Sequence, residues 1–132
     1  MRAPCSYDYA IIRVVPRVER EEFMNVGVIV SCPALDYLAA RIELDEQRLL
    51  RFAPGIDIEL VRENLASIPA ICAGTGPIGR LTLRERFHWL VAPRSTMIQT
   101  SSVHTGRSDD PSCLVERLLQ KMVRTGGAPG GN

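Results

Sequence analysis

The stretch that most limits the fold is Tyr7-Asp-Tyr-Ala-Ile-Ile-Arg-Val-Val-Pro16. Its β-branched and aromatic residues suit an extended strand. Alternation puts Ala10, Ile12 and Val14 on one face and Tyr7, Tyr9, Ile11, Arg13 and Val15 on the other. Both sets are largely apolar, so the strand is expected in the interior of a sheet with cover on both sides. Pro16 ends it, because proline has no amide hydrogen to give a central ladder.

Two further strands follow. Val26–Cys32 is apolar, and Gly27 inside it marks either a bulge or a close backbone approach. Leu38–Leu44 alternates, with Leu38, Ala40, Ile42 and Leu44 facing in and Ala39, Arg41 and Glu43 facing out. The period then becomes helical. Asp45 caps a short helix to about Phe52, and Asp57 caps a longer one carrying Val61, Leu65, Ile68 and Cys72. Pro69 is expected to kink or end that helix near Ser67. Residues 73–79 read as a loop. Thr82 and Glu85 form a capping box opening a helix with Leu83, Phe87 and Leu90 on one face. Residues 95–104 read as a polar strand, followed by a turn at Gly106. Asp110-Pro111 opens a last helix with an apolar stripe of Leu114, Val115, Leu118, Leu119, Met122 and Val123.

Strands first and helices later give an α+β class: a mainly antiparallel sheet of about four strands covered by helices. A single domain over residues 1–125 with a disordered tail at 126–132 is expected. At 132 residues and 45% hydrophobic, the chain can bury a core without metal or disulfide help. A net charge of +1 argues against nucleic acid as a partner. Cys5, Cys32, Cys72 and Cys113 lie far apart and show no metal-ligand spacing. No apolar run is long enough to span a bilayer and no secretory segment follows Met1. A cytoplasmic protein with buried, reduced thiols and no cofactor or metal follows from this.

Polar chemistry is concentrated in residues 93–111. Arg94, Thr96, Ile98, Thr100, Ser102 and His104 share one parity and would face one way from an unbroken strand. Guanidinium and hydroxyl groups on one face suit an oxyanion or phosphate. Arg94 and His104 would stand about 33 Å apart along such a strand. Either the Ser101-Ser102 region bends or bulges, or there are two separate clusters. His104 is the best proton-transfer candidate, although no nucleophile sits beside it, so no catalytic residue is assigned. Asp109-Asp110 reads better as a helix start than as a metal site. Arg13, in an apolar strand, requires a partner, and Glu22 is the natural one; either that pair is purely structural, or Arg13 faces a cavity and helps bind an anion.

Tyr7-Asp-Tyr-Ala-Ile-Ile-Arg13-Val-Val-Pro16 with Glu22-Phe-Met-Asn25-Val-Gly27-Val-Ile-Val30 resembles a bacterial family known only as a domain of unknown function, number three thousand and thirty-seven. Arg86-Phe-His-Trp89-Leu-Val-Ala-Pro-Arg94-Ser95-Thr96, Gln99, His104-Thr105-Gly106 and Asp110-Pro111 resemble its second signature. Members commonly have Ser-Pro before the His-Thr-Gly, where this chain has Ser102-Val103. The resemblance implies a small cytoplasmic protein, and genes of the family often stand beside those of HipA-like serine/threonine kinases. It singles out Arg13, Glu22, Asn25, Gly27, Arg94, Ser95, Thr96, His104 and Thr105. Two functions stay open: an accessory protein docking on such a kinase, or an enzyme or binding protein for a phosphate-bearing or nucleotide ligand. The first expects these side chains spread over a surface, and the second expects them converging in a pocket.

Overall fold

Strand β1 (Cys5–Val14) is the axis of the sheet. The computed structural model describes residues 5–94 and 96–124, so the expected tail at 126–132 lies outside the described residues. β2 (Met24–Cys32) pairs antiparallel with β1, and β3 (Tyr37–Ile42) pairs antiparallel with β2. The other side of β1 is shared: β4 (Ile98–Thr100) lies against Ile12–Val14, and β5 (His104–Ser108) lies against Cys5–Tyr9. This antiparallel sheet, with helices on both faces, is an α+β fold.

The two-faced apolarity of β1 is the reason. Ile12 and Val14, with Ile29 of β2, meet α1 (Glu46–Phe52), α2 (Ile58–Cys72) and α4 (Leu83–Val91) through Leu49, Val61, Leu65, Phe87 and Leu90. Ile11, Val28 and Val30 meet α5 (Pro111–Leu118) and a π-helical continuation, Leu119–Val123. A buried Ile or Leu contributes about 1.5–3 kcal/mol, so neither layer is dispensable. The inward set on β3 packs as its alternation requires, with Leu38, Ala40, Ile42 and the following Leu44 against the first core. Among the described residues no helix is long and apolar enough to cross a membrane.

Gly27 satisfies both readings. Ile12 stands opposite Gly27 and Arg13 opposite Asn25, so Val26 is the extra residue of a bulge. A Cβ on Gly27 would also stand 2.5 Å from the Arg41 carbonyl oxygen of β3. A second bulge interrupts the polar strand in the Ser101-Ser102 region, where a bend or bulge is one of the two expected alternatives. Between Ile12↔Thr100 and Tyr9↔His104, β1 advances three residues and its partner four. The single strand expected over 95–104 is therefore two, and side-chain parity reverses across 101–103. Thr100 shares a face with Ile12, whereas His104 shares the opposite face with Tyr9. The turn expected at Gly106 is also corrected. Gly106 lies inside β5 opposite Tyr7, and a Cβ there would collide with the Tyr7 ring.

Helix starts follow their local chemistry. Asp45, Asp57 and Asp110 each accept amide hydrogens of the first turn, and the Thr82–Glu85 capping box is complete. Helix ends do not. α2 runs through Pro69 to Cys72 instead of stopping near Ser67. The buried Ile68, Ile71 and Cys72 favour continuation, and Arg86 donates to the Cys72 carbonyl at 2.7 Å and the Ile71 carbonyl at 3.4 Å. Within the expected loop at 73–79, Gly76–Gly79 forms one helical turn, α3.

None of the four cysteines is in a disulfide, and Cys5 is half-buried. Cys32 and Cys72 are buried, and burial pushes the Cys72 thiol up to about 11. Cys113 is exposed, contrary to the expected burial, and its Sγ donates to Asp110 Oδ2 at 3.2 Å in the cap of α5.

Candidate functional site

The bulge in β2 sets Arg13 beside Asn25 as cross-strand partners on the α5 side of the sheet. The Asn25 amide Nδ2 donates to the Met122 carbonyl of the π-helical stretch at 2.9 Å. Among the described residues its Oδ1 is buried without a hydrogen-bond partner, as is Arg13 Nε. A donor and an acceptor are thus left unsatisfied on neighbouring residues. The Arg13 guanidinium lies 4.0 Å over the ring of Phe23, one residue before β2. Glu22 is not its partner. Arg20 donates to Glu22 at 2.9 and 3.3 Å on the exposed surface, which holds the Glu22 carboxyl below the usual carboxylate range.

Arg94 and Thr96 belong to a different place, beyond the C-terminal end of α4. Arg94 Nη1 donates to the Leu90 carbonyl at 3.1 Å and Nη2 to the Trp89 carbonyl at 2.5 Å. A cation on these carbonyls complements the negative end of the helix. The same guanidinium stacks 4.4 Å over the Trp89 ring. Thr96 Oγ1 donates to the Ile98 carbonyl at 2.8 Å. Arg94 and Thr96 line one groove of about 230 Å³ with Asn64, Ser67 and Trp89. Ser95, between them, lies outside the described residues.

His104 and Thr105 occupy a third place, on the edge strand β5. The His104 ring stands 5.3 Å from that of Tyr9, and Thr105 Oγ1 donates to Asp8 Oδ1 at 2.9 Å on the opposite face. The structure therefore brings Arg13 to Asn25 and Arg94 to Thr96, but it does not bring these pairs to each other or to His104. No proton-transfer constellation is formed by them.

The residue that sequence reasoning passed over is Trp89. It is 42% exposed, and it lines both the Arg94 groove and a shallow one of about 460 Å³ with Leu81, Arg84, Glu85 and His88. The signal was available. With Phe87 and Leu90 inward, a turn of about 100° per residue points residue 89 away from the core. Among the described residues no group of three His, Cys, Asp or Glu side chains is placed to hold a metal. Asp110, read as a cap, accepts from the amides of Ser112 and Cys113.

A family model described as a protein of unknown function (DUF3037) matches residues 9–123. No curated protein and no solved structure matches the chain.

Proposed function

We propose, for a chain that belongs to the DUF3037 family, a docking role: an accessory protein held on a partner protein through the surface centred on Trp89 and Arg94. The partner class that the family resemblance implies is a HipA-like serine/threonine kinase. The observation carrying the docking reading is the exposed Trp89 ring with the Arg94 guanidinium fixed over it. Trp and Arg are the residue types that dominate interface energetics, chiefly where they stand ordered at the centre of a patch. Arg94 is already tethered to two carbonyls, so little side-chain entropy remains to be lost on binding. The separation of Arg94, His104 and Arg13 supports the same reading, since docking needs no convergence and catalysis does.

The alternative, an anion held by Arg94 and Thr96, has less behind it, because both Nη atoms of Arg94 already donate to carbonyls. Co-expression with the kinase followed by size-exclusion chromatography and affinity measurement tests the docking reading. Wild type is expected to co-elute. Trp89→Ala should weaken the complex by at least about 2 kcal/mol, roughly thirtyfold, with folding stability changed by under about 0.5 kcal/mol. His104→Ala, across the sheet, should bind as wild type does. Failure of wild type to co-elute, or full affinity in Trp89→Ala, would refute it.

A further inference from the structure

A separate cavity of about 280 Å³ lies where the sheet face carrying Asp8 and Ser31 meets α4. Asp8 and Ser31 are directly opposed on β1 and β2, so their side chains leave the sheet on the same face. Ser31 is only 2% exposed and is one of the residues lining the cavity. The Asp8 carboxylate is held there by the Thr105 hydroxyl at 2.9 Å. From α4 come Arg84 and His88, one turn apart, and neither forms an ion pair with a described residue. Phe87, Val91 and Val103 supply the apolar part of the wall.

We infer that this cavity binds a small zwitterion, an amino acid with a short apolar body. Its ammonium group would lie at Asp8 and Ser31, its carboxylate at Arg84 and His88, and its hydrocarbon against Phe87, Val91 and Val103. The wall carries one fixed negative and one fixed positive charge, which cancel. An anion alone would bring its charge beside Asp8, and a cation alone would bring its charge beside Arg84. Asp8 is half-buried and Arg84 and His88 are exposed, so the cost of either mismatch is the repulsion of like charges set side by side. A neutral molecule with separated charges balances both. The volume falls just below the roughly 300–1,000 Å³ of sites for drug-sized ligands, so the occupant is a small metabolite. The inference does not rest on the docking surface, although Arg84 and His88 also line the shallow groove beside Trp89.

Calorimetric titration of the purified protein, with no partner present, tests it. The probes are leucine and γ-aminobutyrate, whose charges are closely and widely spaced. Each half of leucine serves as a control, isocaproate without the ammonium and isoamylamine without the carboxylate. At least one zwitterion is expected to bind saturably, and which one does reports the spacing of the charges. Each half-molecule should bind at least roughly tenfold more weakly than leucine if leucine is the ligand, and neither should match the zwitterion if γ-aminobutyrate is. Asp8→Asn and Arg84→Gln should each cost roughly tenfold, while Trp89→Ala should bind normally. Thermal melts check the fold, and should Asp8→Asn fail to fold, Arg84→Gln on the helix surface carries the decision. No binding by either zwitterion, equal binding by a half-molecule, or undiminished binding in the folded variants would overturn the inference.

Discussion

Arg13 shows how a single residue can advertise itself in a sequence without revealing its partner. Its place in an apolar strand marks it as anomalous, but the expected carboxylate, Glu22, is taken by Arg20 two residues away. A contact that close in sequence forms without closing a loop, so the local pair wins. Arg13 keeps a ring contact with Phe23 and a buried Nε with no hydrogen-bond partner among the described residues. Its stem packs while its donor goes unused, and this gives an unusual expectation. Arg13→Met retains the stem, allows a sulfur–aromatic contact and removes the unsatisfied donor. Urea denaturation should place the variant within about 1 kcal/mol of wild type, with stabilisation as the favoured sign. A loss of about 3–5 kcal/mol, the cost of breaking a buried ion pair, would mean that Arg13 is paired after all. Trp89 was legible in a different way. Helical spacing alone turns it outward, and only its stacking with Arg94 needed coordinates.

At the scale of elements, legibility tracks the range of the interaction. The caps at Asp45, Asp57, Thr82 and Asp110 could be read because side chain and amide lie within three residues. The end of α2 could not, since it depends on the burial of Ile71 and Cys72 and on Arg86 from the next long helix. Parity across the polar strand failed for the same reason. A bulge is a property of pairing, and nothing local to Ser101-Ser102-Val103 sets the count on β1. What holds the bulge is Ser101, 7% exposed, whose Oγ accepts the Ile11 amide at 2.9 Å while its own amide donates to the Ile11 carbonyl at 2.8 Å. Ser101→Ala would leave the Ile11 amide buried and unpaired, at a cost of about 1–3 kcal/mol. Hydrogen exchange should report faster exchange at Ile11 than at its neighbours on β1. Unchanged protection at Ile11 would show that the hydroxyl is not what closes this ladder.

For the molecule as a whole, one sheet separates two cores that are attached by different means. The α1, α2 and α4 layer is joined to the sheet mainly by apolar contact, and Arg62 of α2 pairs with Glu46 of α1 and with Glu59 of its own helix, not with the sheet. The α5 layer has an ionic joint as well. Arg124 donates to Glu43, just past β3, at 2.6 and 2.7 Å and also bonds Glu116 of α5, while Arg41 of β3 reaches Glu116 at 3.3 Å. Those hydrogen bonds from Arg124 hold both carboxyls below the ordinary range, and the first-turn bonds from Ser112 and Cys113 do the same for Asp110 in the cap of α5. Carboxyls with lowered folded-state values stabilise fully above their unfolded values, about 4.3 for Glu. That contribution is lost as pH falls through the folded-state values. Acid should therefore loosen the α5 layer at its joint with β3 and at its cap, and the loss should depend on Arg124. Arg124→Met should be less stable than wild type at pH 7, and urea midpoints should show the gap narrowing as pH falls below the unfolded-state value of about 4.3 and through the lowered folded-state values. A gap that persists undiminished at low pH would mean that Arg124 acts through its hydrocarbon packing, and that the second core needs no ionic joint to stay on the sheet.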